Sequence, residues 1–96
     1  MSVVVFSEIY ATSKWCLAEL TQIMESRKLD DHVVLPVFYE IDPSNVRKQE
    51  GSYETAFARY ETEAIQSRTF RDKLTEWKAA LTQAANVSGW DSRTYG

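Results

Sequence analysis

Val3, Val4, Val5 and Phe6 form an unbroken run of β-branched and aromatic side chains. A run without polar alternation predicts a strand buried on both faces, as in a parallel sheet. Ser7 to Thr12 is polar and reads as a loop. Ser13 then predicts a helix cap, and Trp15, Cys16, Leu20, Ile23 and Met24 recur at helical spacing as far as about Lys28. Leu29-Asp30-Asp31 breaks that pattern. Val33 to Tyr39 is a second apolar run, interrupted by Pro36, whose missing N–H predicts a bulge or an unpaired side. Asp42-Pro43-Ser44 predicts a turn, because proline fixes its own φ and disfavours helix just before it. After Gly51, the residues Tyr53, Phe57, Tyr60 and Ala64 share one helical face. Phe70, Leu74, Trp77, Leu81 and Ala84 make the cleanest amphipathic stripe, stopped by Ser88-Gly89 ahead of Trp90. Strand, helix, strand, then helices is the order of half an α/β doubly wound domain. A two-strand parallel unit leaves an apolar edge unpaired, so further elements or a partner are expected to cover it.

Composition narrows the setting. The 96 residues suit one small unit, and residues 1–96 are read as a single domain. Apolar residues make up 44% and charges are mixed, an ordinary soluble globular balance. A net charge of −3 gives no electrostatic reason to expect nucleic acid or an anionic membrane. The one cysteine, Cys16, has no internal disulfide partner, which favours a reducing compartment. Met1–Phe6 lacks the basic start and length of a signal peptide, and no segment is long and apolar enough to span a bilayer. The cytosol, or the nucleus, is the expected location.

Several of these stretches carry a resemblance. Val3-Val4-Val5-Phe6-Ser7, Tyr10-Ala11 and Ser13-Lys14-Trp15-Cys16-Leu17-Ala18-Glu19-Leu20 resemble the third strand and third helix of plant TIR (Toll/interleukin-1 receptor) domains. Val34-Leu35-Pro36-Val37-Phe38-Tyr39, then Asp42 to Gln49 and Gly51, resemble the fourth strand and its loop. Trp77, Ala80-Leu81, Ala84-Ala85-Asn86 and Ser88-Gly89-Trp90 resemble the long helix and short segment that follow. The likeness covers nearly the whole chain, in order and spacing. It implies a partial flavodoxin-like α/β fold, with parallel strands flanked by helices. The family's first two strands, an arginine-bearing loop and its final helix have no counterpart here. In the flavodoxin order the first strand lies beside the third, so Val3–Phe6 is expected to lack a central neighbour.

Trp15 and Glu19 are four residues apart and Cys16 and Glu19 three, so on a helix from Ser13 all three share a face. A carboxylate near the C-terminal ends of parallel strands stands where open α/β sheets place ligands. By helix geometry alone, Glu19 reads as a solvated glutamate and Trp15 as core. The resemblance reverses that reading, because Glu19 aligns with the family's catalytic glutamate and Ser13, Trp15 and Cys16 with its pocket residues. It implies cleavage of the nicotinamide–ribose bond of NAD⁺, a substrate here and not a resident cofactor. Nicotinamide departs as a neutral group, and a fixed carboxylate stabilises the oxocarbenium-like ribose left behind, with no metal required. It also implies association with itself or with other TIR domains, for which Gly89 and Trp90 are candidate surface residues.

Competing chemistry is weaker. Nothing in the spacing ties the only histidine, His32, to Cys16 as a nucleophilic pair, so His32 reads as a satisfied or solvated side chain. Asp42 reads as a turn former, and Arg47-Lys48 is too short for a nucleic-acid patch. Three functional readings stand. The first is an NAD⁺ hydrolase of plant immune signalling, active on self-association. The second is a non-catalytic, truncated TIR module that pairs with other TIR domains. The third is a piece of a longer receptor with no separate role. Glu19 favours the first; the absent arginine-bearing loop favours the other two.

Overall fold

The computed structural model describes residues 1–87 together with the backbone of residues 90 and 91. Strand β1 (Ser2–Phe6) leads through a short 3₁₀ turn (Tyr10–Thr12) into helix α1 (Lys14–Asp30). Strand β2 (Val34–Phe38), helices α2 (Pro43–Lys48), α3 (Ser52–Ala64) and α4 (Arg68–Ala85), and the two-residue strand β3 (Trp90–Asp91) follow. The three strands are parallel in the order β1-β2-β3, with Val4 opposite Pro36 and Val37 opposite Trp90. This is an α/β fold with parallel strands and flanking helices, as the sequence led us to expect.

The expectation of a strand buried on both faces is corrected. Val4 and Phe6 are buried with Val34, Pro36 and Phe38, while Val3 and Val5 are 55% and 51% exposed on the opposite face. Val33 and Leu35 join them there. The period of two along a strand makes any one-sided cover expose alternate residues, and only one face is covered among the described residues. α1 and α4 pack on β2 and on each other, and α2 and α3 pack on α4.

Backbone direction locates the free edge. Ser2 N–H donates to the Val33 carbonyl at 2.8 Å and Tyr39 N–H to the Phe6 carbonyl at 2.9 Å. Backbone groups alternate sides along a strand. Ser2, Val4 and Phe6 therefore turn theirs to β2, and Val3 and Val5 turn theirs outward. The same alternation aims the missing donor of Pro36 away from β1. The β1–β2 ladder loses nothing, and no bulge forms in its register. Of the two outcomes expected for Pro36, the bulge is absent from this register, and the side its nitrogen faces is the one on which β3 pairs from Val37 onward.

Each long helix starts where its sequence signals a start, except α3. Ser13 Oγ accepts from Cys16 N–H, and Ser67 Oγ accepts from Phe70 N–H. α3 begins instead at Gly51, whose φ of 64° favours glycine. The turn expected at Asp42-Pro43-Ser44 is the start of α2, with Asp42 accepting from Ser44 N–H at 2.8 Å and Pro43 in the first turn. On α4 the buried residues Leu74, Trp77, Ala80, Leu81 and Ala84 line one face. Trp77 sits edge-on to Tyr60 and to Phe70, with ring centroids 5.8 and 5.7 Å away. On α1 the buried stripe is Leu17, Leu20 and Met24. Trp15, expected in that stripe, is 77% exposed, one position off the buried line.

Candidate functional site

The polar link between β1 and α1 carries no regular ladder, yet tyrosines hold its backbone at two points and the first turn of α1 at a third. Tyr53 Oη of α3 donates to the Ser7 carbonyl at 2.9 Å, and Tyr60 Oη donates to the Ala11 carbonyl at 2.6 Å. Tyr10 Oη donates to the Cys16 carbonyl at 3.1 Å, and its ring sits edge-on to Phe6 with centroids 4.9 Å apart. A buried phenol keeps a partner for its hydroxyl because leaving it unpaired is costly. Burial pushes both Tyr10 and Tyr53 above the ordinary tyrosine range. The neighbouring Cys16 and Glu19 push Tyr10 further in the same direction.

The four residues singled out from the sequence stand around the start of α1. Ser13 is the cap, half-buried, with Oγ occupied as an acceptor and its hydroxyl proton able to donate. Cys16 is half-buried and is a free thiol. Trp15 and Glu19 are exposed on one helix face, one turn apart. Together they make a shelf at the C-terminal end of β1, open to solvent. The basic neighbour Lys14 turns to another side of the helix. Its Nζ pairs with Glu63 at 3.0 Å and lies 4.8 Å from the centre of the Phe70 ring. A groove of about 340 Å³ lies across Thr12 from this shelf, between the 3₁₀ turn and α3, with Ser52, Arg59 and Tyr60 in its walls. Glu19 does not line it.

The competing candidates separate in space. His32 precedes β2 and its Nε2 is 2.8 Å from Ser2 Oγ, at the start of the parallel strands, whereas Cys16 lies beyond their far ends. Asp42 is engaged as a helix cap. Among the described residues no group of three His, Cys, Asp or Glu side chains could hold a metal ion, and no helix is long and apolar enough to cross a membrane. Gly89 lies outside the described residues. Trp90 is described only by its backbone, which pairs with Val37. What the sequence reading missed is the tyrosine set. Tyr53 and Tyr60 sit on an apolar stripe, and a tyrosine in a stripe is a signal that a hydroxyl needs a partner somewhere.

Comparison with known proteins agrees with this fold. The profile of the TIR domain family matches residues 1–95. The chain is 56% identical over 89 residues to the disease resistance protein RPV1 of Vitis rotundifolia, covering 93% of this chain and 6% of that protein. It is 44% identical over 91 residues to the TMV resistance protein N of Nicotiana glutinosa, covering 92% of this chain and 7% of that protein. It thus spans a small fraction of the length of these relatives. Among solved structures, the TIR domains of the activated Roq1 resistosome, which directly recognises the pathogen effector XopQ, superpose with a TM-score of 0.86 at 48% identity. That superposition covers 95% of this chain and 53% of the other.

Proposed function

The chain belongs to the TIR domain family, in the branch of plant disease resistance proteins, and on that premise we propose that it serves immune signalling by cleaving NAD⁺ at the nicotinamide–ribose bond. Glu19 is the group that carries the chemistry. Its carboxylate stands free on the solvent face of α1, within reach of a ribose laid along the helix, and stabilises the positive charge that develops as nicotinamide leaves. Trp15, one turn earlier on the same face, offers a flat apolar surface for the substrate. Ser13 supplies a hydroxyl donor and Cys16 shapes the floor. The observation that carries the reading is this pairing of exposed Trp15 and Glu19 at the C-terminal end of a parallel strand.

The same exposure argues that cleavage depends on association. Two unit charges 4 Å apart interact by about 1 kcal/mol in water and by about 4 kcal/mol where the effective dielectric falls to about 20. A shelf open to solvent is a weak electrostatic catalyst until a second surface covers it. Another copy, or another TIR domain, would supply that cover, so nicotinamide release should rise faster than linearly with protein concentration. A second reading, a non-catalytic module that pairs with other TIR domains, is favoured by the bare apolar face of the sheet. Glu19→Ala separates the two. The expected result is a loss of nicotinamide release of at least about 10²-fold with helix content unchanged by circular dichroism. Retained turnover in the folded variant removes Glu19 from this role, and a wild-type chain without turnover leaves the pairing module.

A further inference from the structure

We infer that Tyr10 is a positioning residue for Glu19, its hydroxyl fixing the first two turns of α1 against the sheet through the bond to the Cys16 carbonyl. This rests on the reading of Glu19 as the carboxylate that cleaves NAD⁺.

The contacts run in one continuous line. Phe6 at the end of β1 stacks on Phe38 of β2, ring centroids 5.6 Å apart, so its position is set by the core of the sheet. Tyr10 packs edge-on against Phe6, and its hydroxyl reaches the Cys16 carbonyl. In a helix that carbonyl also accepts the N–H of the residue four positions on, Leu20, the neighbour of Glu19. A carbonyl oxygen has two lone pairs, so the tyrosine adds a bond without breaking the helical one. The bond is partly buried, and the reduced access of water strengthens it. The other restraints on this end of the helix act elsewhere. Ser13 holds the N–H of Cys16, and Lys14 ties the opposite side to Glu63 and Phe70. Leu17 and Leu20 bury the other face of these turns in the core, and the Tyr10 hydroxyl adds the hydrogen bond that joins the helix backbone at Cys16 to the ring packed on Phe6. Catalytic rates are steep in such placement, since a displacement of about 1 Å can cost about 10²-fold.

Tyr10→Phe is the direct test, because it keeps the ring against Phe6 and removes only the hydroxyl. Nicotinamide release by the full chain, with NAD⁺ as the probe, should lose roughly ten- to a hundredfold in kcat while KM stays within about twofold. Hydrogen exchange at the Leu20 amide should quicken by about tenfold or more, while amides in α4 keep their rates. Thr82→Val is the matched control: it also removes a side-chain bond to a carbonyl, that of Arg47 at 2.8 Å, remote from Glu19, and should leave kcat unchanged. A Tyr10→Phe variant with wild-type kcat, in a protein that Glu19→Gln inactivates, overturns the role of Tyr10 and leaves the proposed function standing. So does a lowered kcat without quickened exchange at Leu20, since the effect would not travel through α1. A wild-type chain that releases no nicotinamide sinks the NAD⁺ reading itself, and the role of Tyr10 in it.

Discussion

A hydroxyl buried without a partner costs about 1–3 kcal/mol, and Tyr53 and Tyr60 avoid that cost by donating to the Ser7 and Ala11 carbonyls of the β1–α1 link, as Tyr10 does by donating to the Cys16 carbonyl of α1. Their protons have a further consequence. An unfolded tyrosine ionises near pH 10, whereas burial holds Tyr10 and Tyr53 protonated well above that in the fold. A raised folded value means that this stability is complete below the unfolded value and is lost as the pH climbs past it. The urea midpoint should therefore stay flat from about pH 7 to 9.5 and fall above about pH 10. Phenolate absorbance from these two residues should appear with unfolding and not before it. The sequence alone could not place these bonds. Tyr53 reaches back 46 positions and Tyr60 reaches back 49, far beyond any local pattern. Glu19 and Trp15 were legible as neighbours because four residues on a helix is a local relation. That Trp15 faces water was not, since helical spacing fixes a direction only once the partners of the helix are known.

Among the elements, α4 shows the closest agreement between pattern and packing, and α1 and β1 the least. α4 presents one clean stripe to a single set of neighbours, so period and burial coincide, with Phe70 half-buried at its rim. Leu81 is fully buried there, and Leu81→Ala should lower unfolding free energy by about 2–5 kcal/mol, read as a shift of the urea midpoint. A loss below about 1 kcal/mol would mean that the core collapses onto the gap. β1 misled because an all-apolar run is the mark of a strand covered twice, and one cover is what the described residues provide. α2 was missed although Asp42-Pro43 carries both a capping side chain and a first-turn proline; a turn and a one-and-a-half-turn helix open with the same residues.

At the scale of the molecule, the fold combines a well-filled interior with a sheet face bearing Val3, Val5, Val33 and Leu35 in the open and an edge bearing the outward amides of Val3 and Val5. Apolar surface, and a strand edge with no partner among the described residues, favour association. Sedimentation at micromolar concentration should find the chain associated, and Val5→Lys, which sets a charge on that face, should shift it toward monomer. A monodisperse wild-type monomer would show that the face tolerates water. The tyrosine pins also set an order in time. Synthesis delivers Ser13, Trp15, Cys16 and Glu19 early, yet Tyr53 and Tyr60, which hold the loop beneath them, emerge about forty residues later. At roughly 5–20 residues per second that is a delay of several seconds. Through that interval the side chains of the shelf exist on a nascent chain whose loop is not yet pinned, so the cleavage proposed above would wait until Tyr53 and Tyr60 have been made and have bonded Ser7 and Ala11.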